Sequence, residues 1–103
     1  MTEFDYQQLD DVIHSRIRLA AMAVLAAVDD AEFTFLRDRV QATDGNLGAH
    51  LKRLEDADYV AVEKAFVARK PVTRYRLTAR GRRAFREYVK RIDRMLRAGQ
   101  EGT

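Results

Sequence analysis

Between Leu9 and Val28 apolar side chains recur at Ile13, Ile17, Ala20, Val24 and Val28, and Leu19, Met22 and Leu25 widen that stripe beyond one face. The spacing predicts a helix over 9–28 that buries two sides. Asp29 and Asp30 interrupt the run and are expected to cap a short second helix whose inward face is Phe33, Leu36 and Val40. A third helix is predicted over 43–57. Thr43 can accept a backbone hydrogen bond at its start, Asp44 complements the positive helix end, and Leu47, Leu51 and Leu54 point inward at i, i+4 and i+7. Gly45, Asn46, Ala49, His50 and Arg53 then face outward, a surface that is small, polar and basic.

After Asp58 the period changes to two. Val60, Val62, Lys64 and Phe66 alternate with Tyr59, Ala61, Glu63 and Ala65, which reads as a strand, and a second strand follows over 72–77. The only proline stands in Ala68-Arg69-Lys70-Pro71, where it forbids a ladder hydrogen bond and is expected to mark the hairpin tip. On the return strand Thr73, Tyr75 and Leu77 share one face, Arg74 and Arg76 the other. Thr78 is an N-cap for a last helix over 78–97 with the seam Phe85, Val89, Ile92 and Leu96, flanked by Tyr88 and Met95. Gly99–Thr103 carries no pattern and is expected to fray. The fold class is therefore mainly α with a small β-hairpin, in the order α-α-α-β-β-α, one domain over 1–103. Two helices joined by a tight turn and followed by a hairpin make the layout of a winged helix-turn-helix.

Charge sharpens this picture. Residues 1–42 hold four Lys/Arg against eight Asp/Glu, whereas residues 43–103 hold fifteen against eight, so an acidic half precedes a basic half suited to a polyanion. The absence of cysteine excludes disulfides, thiolate zinc sites and a cysteine nucleophile. The N-terminus lacks a basic leader region and the apolar run Leu19–Val28 is too short to cross a bilayer, so a cytoplasmic location is expected. His14 and His50 have no nucleophile, paired acid or metal-ligand spacing near them, and no phosphate-binding glycine loop exists. No enzyme activity, cofactor or metal is expected.

Two segments carry candidate binding chemistry. A major groove admits a helix whose exposed side chains near its N-terminus are short and hydrogen-bond to base edges. Asn46 can pair with adenine, His50 can donate to guanine or phosphate, and Gly45, Gly48 and Ala49 allow close approach. The hairpin over 66–76 offers Arg69, Lys70, Arg74 and Arg76 with no acid between Lys64 and Glu87, as phosphate contacts require. The last helix is rich in arginine, but its apolar seam argues for burial with a solvated basic rim, around a dimer seam.

The runs Ile13-His14-Ser15-Arg16-Ile17-Arg18-Leu19, Phe33-Thr34-Phe35-Leu36, Thr43 through Glu55 and Arg69 through Gly81 resemble a compact family of bacterial and archaeal winged-helix transcriptional regulators, related to the MarR and ArsR groups. The resemblance implies a homodimer that binds double-stranded DNA through the third helix and the wing, with the first and last helices at the dimer interface. By position it points to Asp44, Asn46, Ala49, His50 and Arg53 on the third helix and to Arg69 and Lys70 in the wing; Thr43, Gly45 and Arg74, from the reading of the residues themselves, complete the expected DNA contacts. The excess apolar surface of the first and last helices places the expected interface at Ile13, Ile17, Met22, Tyr88, Val89, Ile92, Met95 and Leu96, and a two-fold axis there predicts an inverted-repeat promoter site. Gly48 departs from the family pattern, where a polar residue would reach the DNA backbone. A winged helix serving only as a protein-interaction module is the alternative.

Overall fold

The computed structural model describes residues 4–101, so the ends of the expected domain, 1–3 and 102–103, lie outside it. A 3-10 turn (Tyr6–Gln8) precedes α1 (Arg16–Ala26), β1 (Ala31–Glu32), α2 (Phe33–Val40), α3 (Asp44–Asp56), β2 (Val60–Val67), β3 (Lys70–Leu77) and α4 (Ala79–Glu101). The short β1, not foreseen in the sequence, adds a third antiparallel strand, in the order β1-β3-β2. It pairs Ala31 with Tyr75 and Glu32 with Arg74.

The first helix is shorter than the 9–28 predicted. Asp10 turns the chain instead: one carboxylate oxygen accepts from the Val12 N–H at 2.8 Å and the other accepts from the Tyr59 hydroxyl. Such an Asx turn offers the backbone an alternative to helix, and α1 starts only after the extended Ser15. Ile13 still reaches the core, fully buried, so the folded-back strap satisfies the same apolar pattern a helix would have. Nor do Asp29 and Asp30 cap α2, whose N-cap is Glu32 without a side-chain bond, because Asp30 is engaged by Arg74. Of its inward residues Leu36 is fully buried, while Phe33 and Val40 are half-buried.

Ala21, Met22 and Leu25 of α1, Leu36 of α2 and Leu47, Leu51 and Leu54 of α3 meet Val60 and Leu77 from the sheet. Each of these side chains larger than alanine contributes about 1.5–3 kcal/mol of burial. α3 ends in a Schellman arrangement with Asp58 in the left-handed region (φ 62°), where the Tyr59 N–H donates to the Leu54 carbonyl and the Asp58 N–H to the Glu55 carbonyl. α4 begins against that same corner. Thr78 Oγ1 accepts from the Gly81 N–H and donates to the Asp58 carbonyl, and the Thr78 N–H donates to the Tyr59 carbonyl. α4 then continues through Gly99 to Glu101, so the fraying expected from Gly99 onward does not begin there.

Tyr59 is buried, and that burial, with the hydrogen bond to Asp10 and the charge of Asp10, pushes its hydroxyl up to about 12. Burial raises Tyr75 and Tyr88 as well. The folded state thus holds protons that the unfolded chain releases near pH 10. Stability is therefore fully present below about pH 10 and is lost as pH rises through about 12. Denaturant midpoints measured from about pH 9 to 12 should fall steeply for the native chain and less steeply for Tyr59→Phe; equal slopes would show that Tyr59 does not carry this dependence.

Candidate nucleic-acid interface

α3 is positioned by its own sequence. Thr43 Oγ1 accepts from the Asn46 N–H at 3.2 Å, capping the helix as expected, and the buried leucines turn Asp44, Gly45, Asn46, Ala49 and Arg53 outward. A Cβ added to Gly45 or Gly48 would meet nothing within 4 Å beyond its own turn of helix. Internal packing therefore does not demand these glycines, although each costs a helix about 1 kcal/mol relative to alanine. His50 is half-buried and its Nδ1 lies 2.9 Å from Nη1 of Arg18. Asp44 is turned toward α2, where Arg37 Nη1 donates to it at 3.1 Å while Arg37 Nε donates to Asp38 at 3.2 Å. The hydrogen bonds to Asp44 and Asp38 hold the Arg37 guanidinium above its usual range. That clamp spans the turn between the two helices, and neither Arg18 nor Arg37 stood out in the sequence.

The wing differs from expectation in its turn. Val67 pairs with Lys70 and Phe66 with Pro71, so the loop is the two residues Ala68-Arg69, and Pro71 lies inside β3 instead of at the tip. Both loop residues have positive φ, 51° and 67°, the twist that suits a two-residue hairpin of the type I′ class. Residues flanking such a loop exchange both ladder bonds, which makes Phe66 and Pro71 the next, non-bonded pair. The missing N–H of Pro71 therefore points away from β2 and costs the hairpin nothing. Arg69 and Lys70 stand exposed at the tip. Beside them Phe66 (77% exposed) and Val67 (55%) form an apolar flank that alternation alone did not mark as exposed.

Among the described residues Arg53, Lys64, Arg69, Lys70 and Arg76 make no ion pair. Arg74 differs. It pairs with Asp30 at 2.8 Å and Glu32 at 3.2 Å, acids from a distant segment that the uninterrupted basic stretch concealed. These two pairs tie β3 to β1 and to the end of the α1–α2 connection.

The expected interface residues also divide. Ile13 and Met22 are fully buried in the chain's own core, and Tyr88, 5% exposed, has its hydroxyl 2.7 Å from His14 Nδ1. Ile13 and Met22 thus spend the two-sided apolar pattern of the first segment within one chain, and Tyr88 spends most of its surface there too. Ile17, Ile92 and Met95 are half-buried. Val89 (48%) and Leu96 (64%) remain open on α4.

No described helix is long and apolar enough to cross a membrane, and no group of three or more metal-binding side chains occurs among the described residues. A family model described as a winged helix DNA-binding domain matches residues 17–96. An uncharacterized protein of Methanocaldococcus jannaschii is 33% identical over 81 residues, 79% of this chain and 88% of that relative. Among solved structures, a transcriptional regulator homologue from Pyrococcus horikoshii OT3 superposes with a TM-score of 0.81 at 24% identity, covering 99% of this chain and 97% of that one. A PadR family transcriptional regulator from Eggerthella lenta gives 0.65 at 26% identity, covering 84% and 82%. With four helices, a capped and outward-facing third helix and a basic wing with a two-residue turn already in place, the chain belongs to the winged helix DNA-binding domain family and is a DNA-binding transcriptional regulator.

Proposed function

We propose that α3 enters the major groove, with Asn46, Ala49, His50 and Arg53 on base edges and phosphates, Thr43 and Asp44 at the helix start, and Gly45 and Gly48 providing clearance. Arg69 and Lys70 contact the backbone or minor groove beside it. The observation that carries this reading is the open space around both glycines, which the chain's own packing leaves unexplained and a closely approaching duplex explains. The free cations on the wing support it, since they can neutralise phosphates without first losing an internal partner. The protein acts on promoters as a cytoplasmic regulator without catalytic chemistry. It does so as a homodimer joined through the open Val89–Leu96 face of α4, with Ile92 and Met95 alongside, on an inverted repeat whose half-sites lie a multiple of about 10 base pairs apart.

Wing and reading helix contribute differently to affinity. Arg69→Ala or Lys70→Ala weakens binding to all DNA alike and lowers the slope of log K against log salt by about 0.9 each. Asn46→Ala costs about 1–3 kcal/mol on the preferred site and little on random DNA. Isotherms at several salt concentrations, on a site selected from a random pool, measure both. A native chain with no salt-sensitive binding would indicate a protein-interaction module instead, and equal losses on both DNAs would remove Asn46 from base reading.

A further inference from the structure

We infer that Arg18 of α1 fixes the proton on His50 and thereby makes it a donor-only reader that selects a hydrogen-bond acceptor on the DNA and rejects cytosine. This rests on the placement of α3 in the major groove. Arg18 is anchored away from the helix it serves. Its Nε donates to the Val12 carbonyl, and its Nη2 lies 3.5 Å from the Asp11 carbonyl, which leaves Nη1 directed at His50 Nδ1, 2.9 Å away. Val12 is itself held by Asp10, whose second carboxylate oxygen is bonded to Tyr59, so the guanidinium is braced against the core.

A guanidinium has five N–H donors and no acceptor, and it stays charged in proteins. The His50 nitrogen facing it must supply the lone pair. The ring hydrogen then sits on Nε2, because a proton on Nδ1 would set two donors against each other beside a positive charge. The two ring nitrogens point in divergent directions, so Nε2–H is directed away from Arg18. His50 follows Asn46 by one turn on α3. In the major groove guanine offers N7 and O6, adenine N7 and thymine O4 as acceptors, whereas cytosine offers only its amino donor. A histidine free to exchange tautomers could accept from that amino group. One locked by Arg18 cannot. Arg18 is thus a positioning residue that does not itself touch DNA.

The test has two arms. In the free full-length chain, long-range 15N–1H correlations report which ring nitrogen carries hydrogen, and His14→Gln assigns the two histidines. The expected result is a single Nε2–H form in the native chain and in Arg18→Lys, which is also donor-only, and a mixture in Arg18→Gln, whose amide can donate or accept. A native spectrum with hydrogen on Nδ1, or the same mixture as Arg18→Gln, overturns the assignment. In the second arm, base preferences are measured on the selected site, and His50→Ala identifies the position it reads. Cytosine there should cost the native chain and Arg18→Lys about tenfold in affinity, which is about 1.4 kcal/mol and within the range of one hydrogen bond, and Arg18→Gln about twofold or less. An undiminished cytosine penalty in Arg18→Gln overturns the selection mechanism. Unchanged preferences in His50→Ala overturn instead the placement of this residue on the bases, while the free-chain spectrum still decides what Arg18 does.

Discussion

Gly81→Ala lowers the melting temperature by more than about 12 °C. The expectation runs against helix propensity, which favours alanine over glycine by about 1 kcal/mol at an unconstrained helix position. Here the first turn of α4 lies directly on the corner after α3: a Cβ at residue 81 would sit 2.0 Å from the Tyr59 carbonyl oxygen and under 3 Å from two more atoms of the same backbone. No flexible side-chain end is available to move aside. Relief requires shifting α4 away from Tyr59, which loosens the Thr78 bonds to the Asp58 and Tyr59 carbonyls. Overpacking of this kind costs about 3 kcal/mol or more, and each kcal/mol moves the melting point of a domain this size by about 4–8 °C. Circular dichroism melts of Gly81→Ala beside Gly45→Ala check it. The second variant faces open space and should melt at or above the native temperature, so similar melting points for the two would refute the close approach.

The double variant Val89→Asp, Leu96→Asp should bind the inverted repeat about 100- to 10,000-fold more weakly while retaining its fold. Both side chains are largely open to solvent within one chain, so charging them buries no carboxylate there. Across a two-fold seam each would face apolar groups of a partner, where an unpaired carboxylate is strongly disfavoured. Loss of pairing turns one bivalent event into two independent half-site events, and linked sites gain about that factor from effective concentration. Sedimentation equilibrium gives the mass, and binding to an isolated half-site gives the control, where the variant should match the native chain to within a few-fold. A variant that stays dimeric, or a native chain that is monomeric at micromolar concentration and protects one half-site, refutes the seam.

How far the chain could be read in advance depended on the range of each interaction. α3 was legible because capping and periodicity are local: Thr43 reaches only to Asn46, and Leu47, Leu51 and Leu54 repeat within the helix they define. The hairpin was legible for the same reason, its parity showing in Val60, Val62, Tyr75 and Leu77. Contacts between distant segments were not. Arg74 reads as a free wing cation until Asp30 and Glu32 are brought to it, over 40 residues away in sequence. Arg18 meets His50 across 32 residues. The wing turn misled for another reason: positive φ is ordinarily advertised by glycine or asparagine, and here alanine and arginine adopt it, so proline was the only visible marker. In the first segment Ile13 and Ile17 keep helical spacing whether the chain is helical or folded back, and only the hydrogen bonds of Asp10 decide between them.

The length of α4 has a hydrodynamic consequence. With the helix running on past the core to Glu101, the chain measures 59 × 25 × 21 Å and has a radius of gyration of 15.6 Å, against about 13 Å for a compact domain of about 100 residues. A body of that shape suffers more drag than a sphere of equal mass. A single copy will elute from a sizing column ahead of globular standards of its own mass, and an antiparallel pair joined along α4 would elute less far ahead than doubling alone suggests. Elution volume therefore compresses the difference between one copy and two, and scattered intensity, which depends on mass and not on drag, separates them cleanly.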